Sequence, residues 1–129
     1  DVYHLLSLLE SDAARAVASQ ASDQQLQELA QLHDQLAQNI EHTEAFFSIN
    51  EQFHLRLLEM ANNRWRLNMV NDLRKVMKLN RHHSLLKEGR IDQSLKEHEG
   101  LVQALLDRNP ELAAQRMATH FANGLQAAA

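Results

Sequence analysis

The sequence contains no cysteine, one proline and three glycines among its 129 residues. The absence of cysteine excludes disulfide scaffolds, thiolate zinc sites and thiol nucleophiles. Proline and glycine punctuate helices and form turns, so their scarcity leaves few places where the chain can reverse. The common residues are Leu, Ala, Gln, Glu, Arg and Lys, which favour helices. The composition therefore predicts an all-helical chain with short connections.

Positive charge is also scarce, because 13 Lys and Arg stand against 17 Asp and Glu, a formal net charge of −4. Phosphate binding needs a basic face, so this balance argues against direct binding of nucleic acid. No polybasic segment favours an anionic membrane surface, and no apolar run approaches the roughly 20 residues that span a bilayer. No signal-peptide pattern opens the chain. We therefore expect a cytoplasmic protein that has no membrane partner.

Apolar residues at helical spacing predict one all-α domain over residues 1–129, an antiparallel bundle of six or seven helices. Helices are predicted over residues 2–20, 23–40, 43–62, 64–80, 91–107 and 110–126, with residues 81–89 as a loop. In the first helix the apolar row runs through Leu5, Leu8, Leu9, Ala13, Ala16 and Val17. Because the connections are short, we expect successive helices to pack against each other.

Polar residues mark the starts of three of these helices. Ser22 or Asp23 is the expected cap of the second helix, and Thr43 that of the third. Asn109 followed by Pro110 is the clearest start signal, with Asn as the cap and Pro at the first helical position.

Eight histidines are many for this length, and three of them interrupt apolar rows. Asn50 and His54 lie four residues apart in the third helix, so they stack on one face and can reach one ion. His98 and His120 occupy inward positions of the fifth and sixth helices. The three rows are Phe47, Asn50, His54, Leu58, Ala61; Ile91, Leu95, His98, Val102, Leu105; and Ala113, Met117, His120, Gly124.

Two interpretations of the inward histidines remain open from spacing alone. A single inward histidine is usually a core residue with a hydrogen-bond partner, and a buried imidazole without one costs roughly 1–3 kcal/mol. One shared cation would satisfy all three imidazoles at once, which favours a metal site. His4, His33 and His42 are expected on solvated faces, and His82 and His83 lie beside the predicted loop.

Four segments, taken together and in order, resemble the FCD domain, the C-terminal effector-binding half of FadR-subfamily GntR transcription regulators. The third helix is similar to its D-x-x-F-H…A-x-N signature, and the fifth to E-H-x-x-I-x-x-A-L. The last helix is similar to the family's A-x-x-x-M-x-x-H ending. The first helix is similar to the family's opening L-E-x-x-A-A, through Leu9-Glu10 with Ala13 and Ala14. The matching segments are Asn50-Glu51-Gln52-Phe53-His54 with Met60-Ala61-Asn62-Asn63, then residues 97–105, then Ala114, Met117 and His120.

The resemblance implies an FCD-like all-α bundle that holds one divalent metal ion through an Asp and three His. Carried over to this sequence, the metal ligands are Asn50 in the Asp position, His54, His98 and His120. Zinc is the foremost candidate, with nickel, manganese or iron as alternatives. A small carboxylate or sugar-acid effector contacts the metal in this family, and a homodimer of winged helix-turn-helix domains responds.

The sequence departs from the family pattern in two ligand-binding positions. Asn50 replaces Asp, so four neutral ligands leave the ion its full charge, which weakens metal binding and strengthens attraction for an anion. The family's arginine in the first helix falls at Leu6, and Arg74, Arg81 and His82 are the substitutes we expect for effector binding. No winged-helix segment precedes residue 1, so DNA contact is expected only through an N-terminal domain outside this chain.

The favoured function is a ligand-sensing domain without enzymatic activity, and two alternatives remain open. A metal-dependent helical-bundle enzyme is one, because Glu51-x-x-His54 resembles half of a di-iron carboxylate motif. The second half is missing, since Leu95 and Met117 stand three residues before the other two histidines. The other rival is a metal-free helical dimerisation domain. Since imidazole must be neutral to bind metal, we also expect metal loss below about pH 6.

Overall fold

The computed structural model describes the backbone of residues 2–86 and 89–128, and the side chains of residues 2–78 and 89–126. Within those ranges the chain forms six α-helices and no strand, which confirms the predicted fold class. The helices are α1 Val2–Gln20, α2 Asp23–Gln38, α3 Thr43–Met60, α4 Arg64–Leu86, α5 Arg90–Leu106 and α6 Pro110–Ala128. In the described part of the chain, no helix combines the length and apolar character needed to cross a membrane.

The caps follow the sequence at two of the three predicted starts. Ser22 caps α2 through a capping box, in which its hydroxyl accepts from the Gln25 backbone N–H and Gln25 accepts from the Ser22 N–H. Asn109 accepts from the backbone N–H of Leu112 at 3.2 Å and so caps α6. The prediction for Thr43 was wrong, because α3 begins at Thr43 and the cap position falls on His42, which makes no side-chain cap bond.

Helix α4 runs six residues beyond its predicted end, to Leu86. The predicted loop over residues 81–89 is therefore wrong for residues 81–86. No glycine or proline lies between Arg64 and Leu86, so nothing in the backbone forces the helix to stop earlier. Gly89 occupies the cap position of α5 with a φ of +77°, a left-handed conformation that favours glycine.

The buried face of α1 differs from the predicted apolar row. Leu5 and Leu8 are 46% and 56% exposed, whereas Leu6 is fully buried. Apolar residues surround the first half of this helix, so helical spacing alone allowed two faces. The face turned to the core comprises Tyr3, Leu6, Glu10, Ala13, Ala14, Val17 and Ala18.

The small residues of that face let α1 pack closely against α6, which is the most extensive helix contact among the described residues. Against our expectation for successive helices, the backbones of α1 and α2 do not approach closely within the described residues, and α2 packs on α3 and α5 instead. Helices α5 and α6 pack together after a short turn at residues 107–109. This arrangement brings the inner faces of α1, α3, α5 and α6 around one interior region.

Candidate metal centre

The three inward histidines converge in the bundle interior from three different helices. His54 on α3, His98 on α5 and His120 on α6 each place one ring nitrogen within 4.8 Å of a nitrogen of the other two. The ring centroids lie 5.1 Å apart for His54 and His98, 4.7 Å for His98 and His120, and 5.7 Å for His54 and His120. Nitrogens bound to one tetrahedral zinc ion at roughly 2.0–2.1 Å lie about 3.4 Å apart. Each pair of nitrogens therefore has to close by no more than about 1.4 Å to share an ion.

The hydrogen-bond state of these rings fits a cation. Nε2 of His54 and both ring nitrogens of His98 are buried and have no hydrogen-bond partner among the described residues. His54 and His98 are fully enclosed, and the side chain of His120 is 11% exposed. Buried nitrogens without partners are costly in a folded protein. A bound cation would accept their lone pairs, so the donor set suits a divalent metal ion.

Asn50 carries a buried oxygen on the helix face that also carries His54. It lies one helical turn before His54 on α3, is 4% exposed, and its Oδ1 is buried without a hydrogen-bond partner in the described part of the chain. Phe53, between the two, packs its ring edge-on against His98 with centroids 4.9 Å apart. This contact holds the stretch of α3 that carries Asn50 and His54 against α5.

Behind His54 lies a buried carboxylate that sequence reasoning missed. Oε1 of Glu10 lies 2.6 Å from Nδ1 of His54, and both side chains are fully buried. Oε2 of Glu10 accepts two hydrogen bonds from Arg74, at 2.6 and 3.1 Å. Burial raises the pKa of Glu10, and the Arg74 guanidinium opposes that rise. Arg74, Glu10 and His54 thus form one chain of contacts from α4 through α1 to α3.

A second carboxylate, also missed, lies behind His120. Oε1 of Glu97 on α5 lies 2.6 Å from Nδ1 of His120 on α6. Oε2 of Glu97 accepts from Arg90 at 3.0 Å and from Asn123 at 2.6 Å. Burial alone would raise the pKa of Glu97, but the hydrogen bonds from His120 and Arg90 outweigh burial and lower that pKa to about 2.

The electrostatics keep two of the imidazoles neutral. Burial lowers the pKa of His54 well below its ordinary value, and the positive charge of Arg74 acts in the same direction. Burial likewise lowers the pKa of His98, with further contributions from His120 and His54. Only a neutral imidazole can bind metal, so the two buried histidines are in the binding-competent form at neutral pH.

The structure describes the side chain of only one of the three residues predicted to bind the effector, Arg74. Arg74 lies on α4, is 7% exposed, and bonds to Glu51 at 3.2 Å as well as to Glu10. The side chains of Arg81 and His82 lie outside the described residues. Arg74, Asn50 and Glu51 line a cleft of about 450 Å³ between α3 and α4, together with Lys78.

His4 and His42 are exposed as the sequence predicted, but His33 on α2 is half-buried. The side chains of His82 and His83 lie outside the described residues. Nδ1 of His33 is buried without a partner in the described ranges, and burial lowers the pKa of His33. The prediction of a solvated face was therefore wrong for His33, because α2 packs on α5.

The di-iron half-motif Glu51-x-x-His54 is not assembled in the structure. Glu51 is 45% exposed and its Oε1 faces Arg74 rather than His54. The carboxylates that do contact the histidines, Glu10 and Glu97, bond to Nδ1 nitrogens and to arginines. Among the described residues, the cluster that can hold a metal consists of histidines alone.

Comparison with known proteins agrees with the resemblance that the motifs carried. The family model of the FCD domain matches residues 1–123, nearly the whole chain. No curated protein matches the sequence. The match extends from the helix that carries Glu10 through the helix that carries His120. The chain therefore belongs to the FCD domain family, the ligand-sensing domains of GntR-family transcription regulators.

Proposed function

We propose that this domain senses a small carboxylate effector through a divalent metal ion held by His54, His98 and His120, with Asn50 as the fourth ligand. One observation carries the proposal: three imidazoles from three helices meet with buried nitrogens that lack hydrogen-bond partners among the described residues. Imidazole nitrogen and amide oxygen suit zinc first, and nickel, manganese or iron as well.

The ligand set explains why an anion should bind. Three imidazoles and one amide are neutral, so the ion keeps its charge of +2. The carboxylates nearby, Glu10 and Glu97, are each paired with an arginine and do not cancel that charge. An octahedral ion with four protein ligands has two positions left, which an α-hydroxy acid can fill with two oxygens. A small acid or sugar acid is therefore the effector class.

Arg74 gives the effector a second anchoring group. It lines the cleft beside Asn50, and one of its nitrogens bonds to Glu51, which is 45% exposed. An effector carboxylate can replace Glu51 there without disturbing the Glu10 contact. Arg81 and His82, predicted from sequence as further effector contacts, belong to this proposal too.

The output of the domain follows from its family. In the proposed whole protein, a homodimer in the cytoplasm carries a winged helix-turn-helix domain N-terminal to this chain. The effector must bind one interdomain arrangement more tightly than the other, because equal affinity for both would shift nothing. DNA contact then belongs to that domain, as the net charge of −4 suggests.

The test has two stages, metal first and acid second. Protein purified without an affinity tag is assayed for bound metal and titrated with Zn²⁺, Ni²⁺ and Mn²⁺ by calorimetry. We expect one ion per chain in the wild type and none in the His98→Ala, His120→Ala double variant. Citrate, malate and lactate are then titrated into metal-loaded and metal-free protein, and heat is expected only with metal. No metal uptake by the wild type would refute the proposal and leave a metal-free helical domain.

A further inference from the structure

Two of the three candidate histidine ligands contact a carboxylate through the nitrogen that faces away from the proposed ion, and the third has no such contact among the described residues. Nδ1 of His54 faces Glu10 and Nδ1 of His120 faces Glu97, each at 2.6 Å. Both nitrogens of His98 lack a partner among the described residues. We propose that Glu10 and Glu97 are positioning residues, which fix His54 and His120 in the tautomer that binds metal. This inference rests on the proposed metal site.

The carboxylate contact determines which nitrogen of each imidazole carries the proton. An ionised carboxylate only accepts hydrogen bonds, so the imidazole nitrogen that faces it must carry the proton. With the proton on Nδ1, the lone pair of each ring lies on Nε2, at the opposite edge. Nε2 of His54 is the buried nitrogen without a partner, so its lone pair is free for an ion. A carboxylate at this position also raises the basicity of the metal-binding nitrogen.

Each carboxylate is in turn held by groups that leave one oxygen for histidine. Arg74 bonds twice to Oε2 of Glu10, and Arg90 and Asn123 bond to Oε2 of Glu97. In both cases Oε1 points to the imidazole. The same division of oxygens occurs on two unrelated pairs of helices. A plain buried ion pair would need only the arginine and would place no constraint on either histidine.

The decisive variant is Glu97→Gln, because Glu97 is 10% exposed and its replacement keeps the shape of the side chain. A glutamine can turn its amide NH₂ toward Nδ1, which would place the imidazole proton on Nε2 and block binding. The matched control is Glu99→Gln, two residues along α5 on an exposed face. The probes are Zn²⁺ for affinity and Co²⁺ for ligand geometry through its visible absorption.

We expect Glu97→Gln to bind Zn²⁺ roughly 10–100-fold more weakly than the wild type, the range found for such outer partners. Its Co²⁺ spectrum should change, and the rise in Tm on adding Zn²⁺ should shrink. Glu99→Gln should match the wild type in all three measurements. A merely structural role would lower Tm equally with and without metal and leave the affinity unchanged, and that result would overturn the inference.

Glu10→Gln provides the second arm, with the same expected loss of affinity. Glu10 is fully buried, so if the Glu10→Gln variant fails to fold, the measurements on Glu97→Gln decide alone. The outcomes also separate this inference from the proposed function. Wild-type metal binding with unimpaired Glu97→Gln would refute the positioning role only, whereas a wild type that binds neither Zn²⁺ nor Co²⁺ would refute both.

Discussion

Replacing His98 with leucine should stabilise the metal-free protein while it abolishes metal binding. His98 is 1% exposed, and neither ring nitrogen has a hydrogen-bond partner among the described residues. Leaving such a group unsatisfied costs about 1–3 kcal/mol. Leucine has nearly the volume of histidine and belongs beside Phe53, whose ring lies 4.9 Å from the imidazole centroid. We therefore expect His98→Leu to raise the free energy of unfolding by about 1–3 kcal/mol in chelator.

The two effects have opposite signs, which makes the measurement decisive. In a domain of this size each kcal/mol shifts Tm by roughly 3–5 °C. Metal at 100 times its Kd should stabilise the wild type by about 2.7 kcal/mol and His98→Leu not at all. Thermal and denaturant unfolding, each with EDTA and with Zn²⁺, give both quantities. Val102→Ala, one turn further along α5, is the control and should lower stability equally in both conditions.

Two results would contradict this reasoning. If His98→Leu is less stable than the wild type in EDTA, the imidazole has a compensating interaction and the cost assigned to its nitrogens is wrong. If the variant keeps the full stabilisation by Zn²⁺, His98 is not a ligand.

Three further predictions test the charges of the site. Asn50→Asp should bind Zn²⁺ at least about tenfold more tightly and carboxylates more weakly, because a charged ligand reduces the net charge of the site to +1. Binding constants that calorimetry finds unchanged would exclude residue 50 as a ligand. Since burial lowers the pKa values of His54 and His98, protons compete little with metal at these two imidazoles near pH 6. Zn²⁺ affinity should therefore fall far less between pH 6.5 and 5.5 than the roughly thousandfold expected for three ordinary imidazoles, and a fall near that size would refute the burial argument. Arg74→Met should lower the free energy of unfolding by about 3–5 kcal/mol in denaturant, because it leaves Glu10 buried without its arginine. A decrease below about 1 kcal/mol would show that the ion pair does not stabilise the fold.

The sequence predicted the helices well and their packing less well, for a physical reason. Caps and breakers act within a few residues, so the capping box at Ser22 and the Asn109 start were found where they occur. The face of a helix that becomes buried depends on its neighbours. Leu5 and Leu8 fit an apolar row as well as Leu6 does, and only the packing of α1 on α6 decides between them.

The same distinction applies to the site. His54, His98 and His120 were found because each interrupts an apolar row, a feature that the sequence shows directly. Glu10 interrupts the buried row of α1 in the same way and would have been found by the same test on the correct face. Glu97 gave no such signal, because its role depends on a contact with His120 that lies 23 residues away on the next helix.

These observations together give the bundle interior an unusual balance of charge. Glu10 with Arg74, and Glu97 with Arg90, form two pairs that are neutral in sum. In the proposed sensor, the ion adds positive charge that these two paired carboxylates do not cancel. Arg74 can bind an acid only in competition with Glu51, so we expect it to add to binding by the ion and not to replace it. We therefore expect acid binding to depend on prior binding of the metal, which titration of metal-loaded and metal-free protein measures.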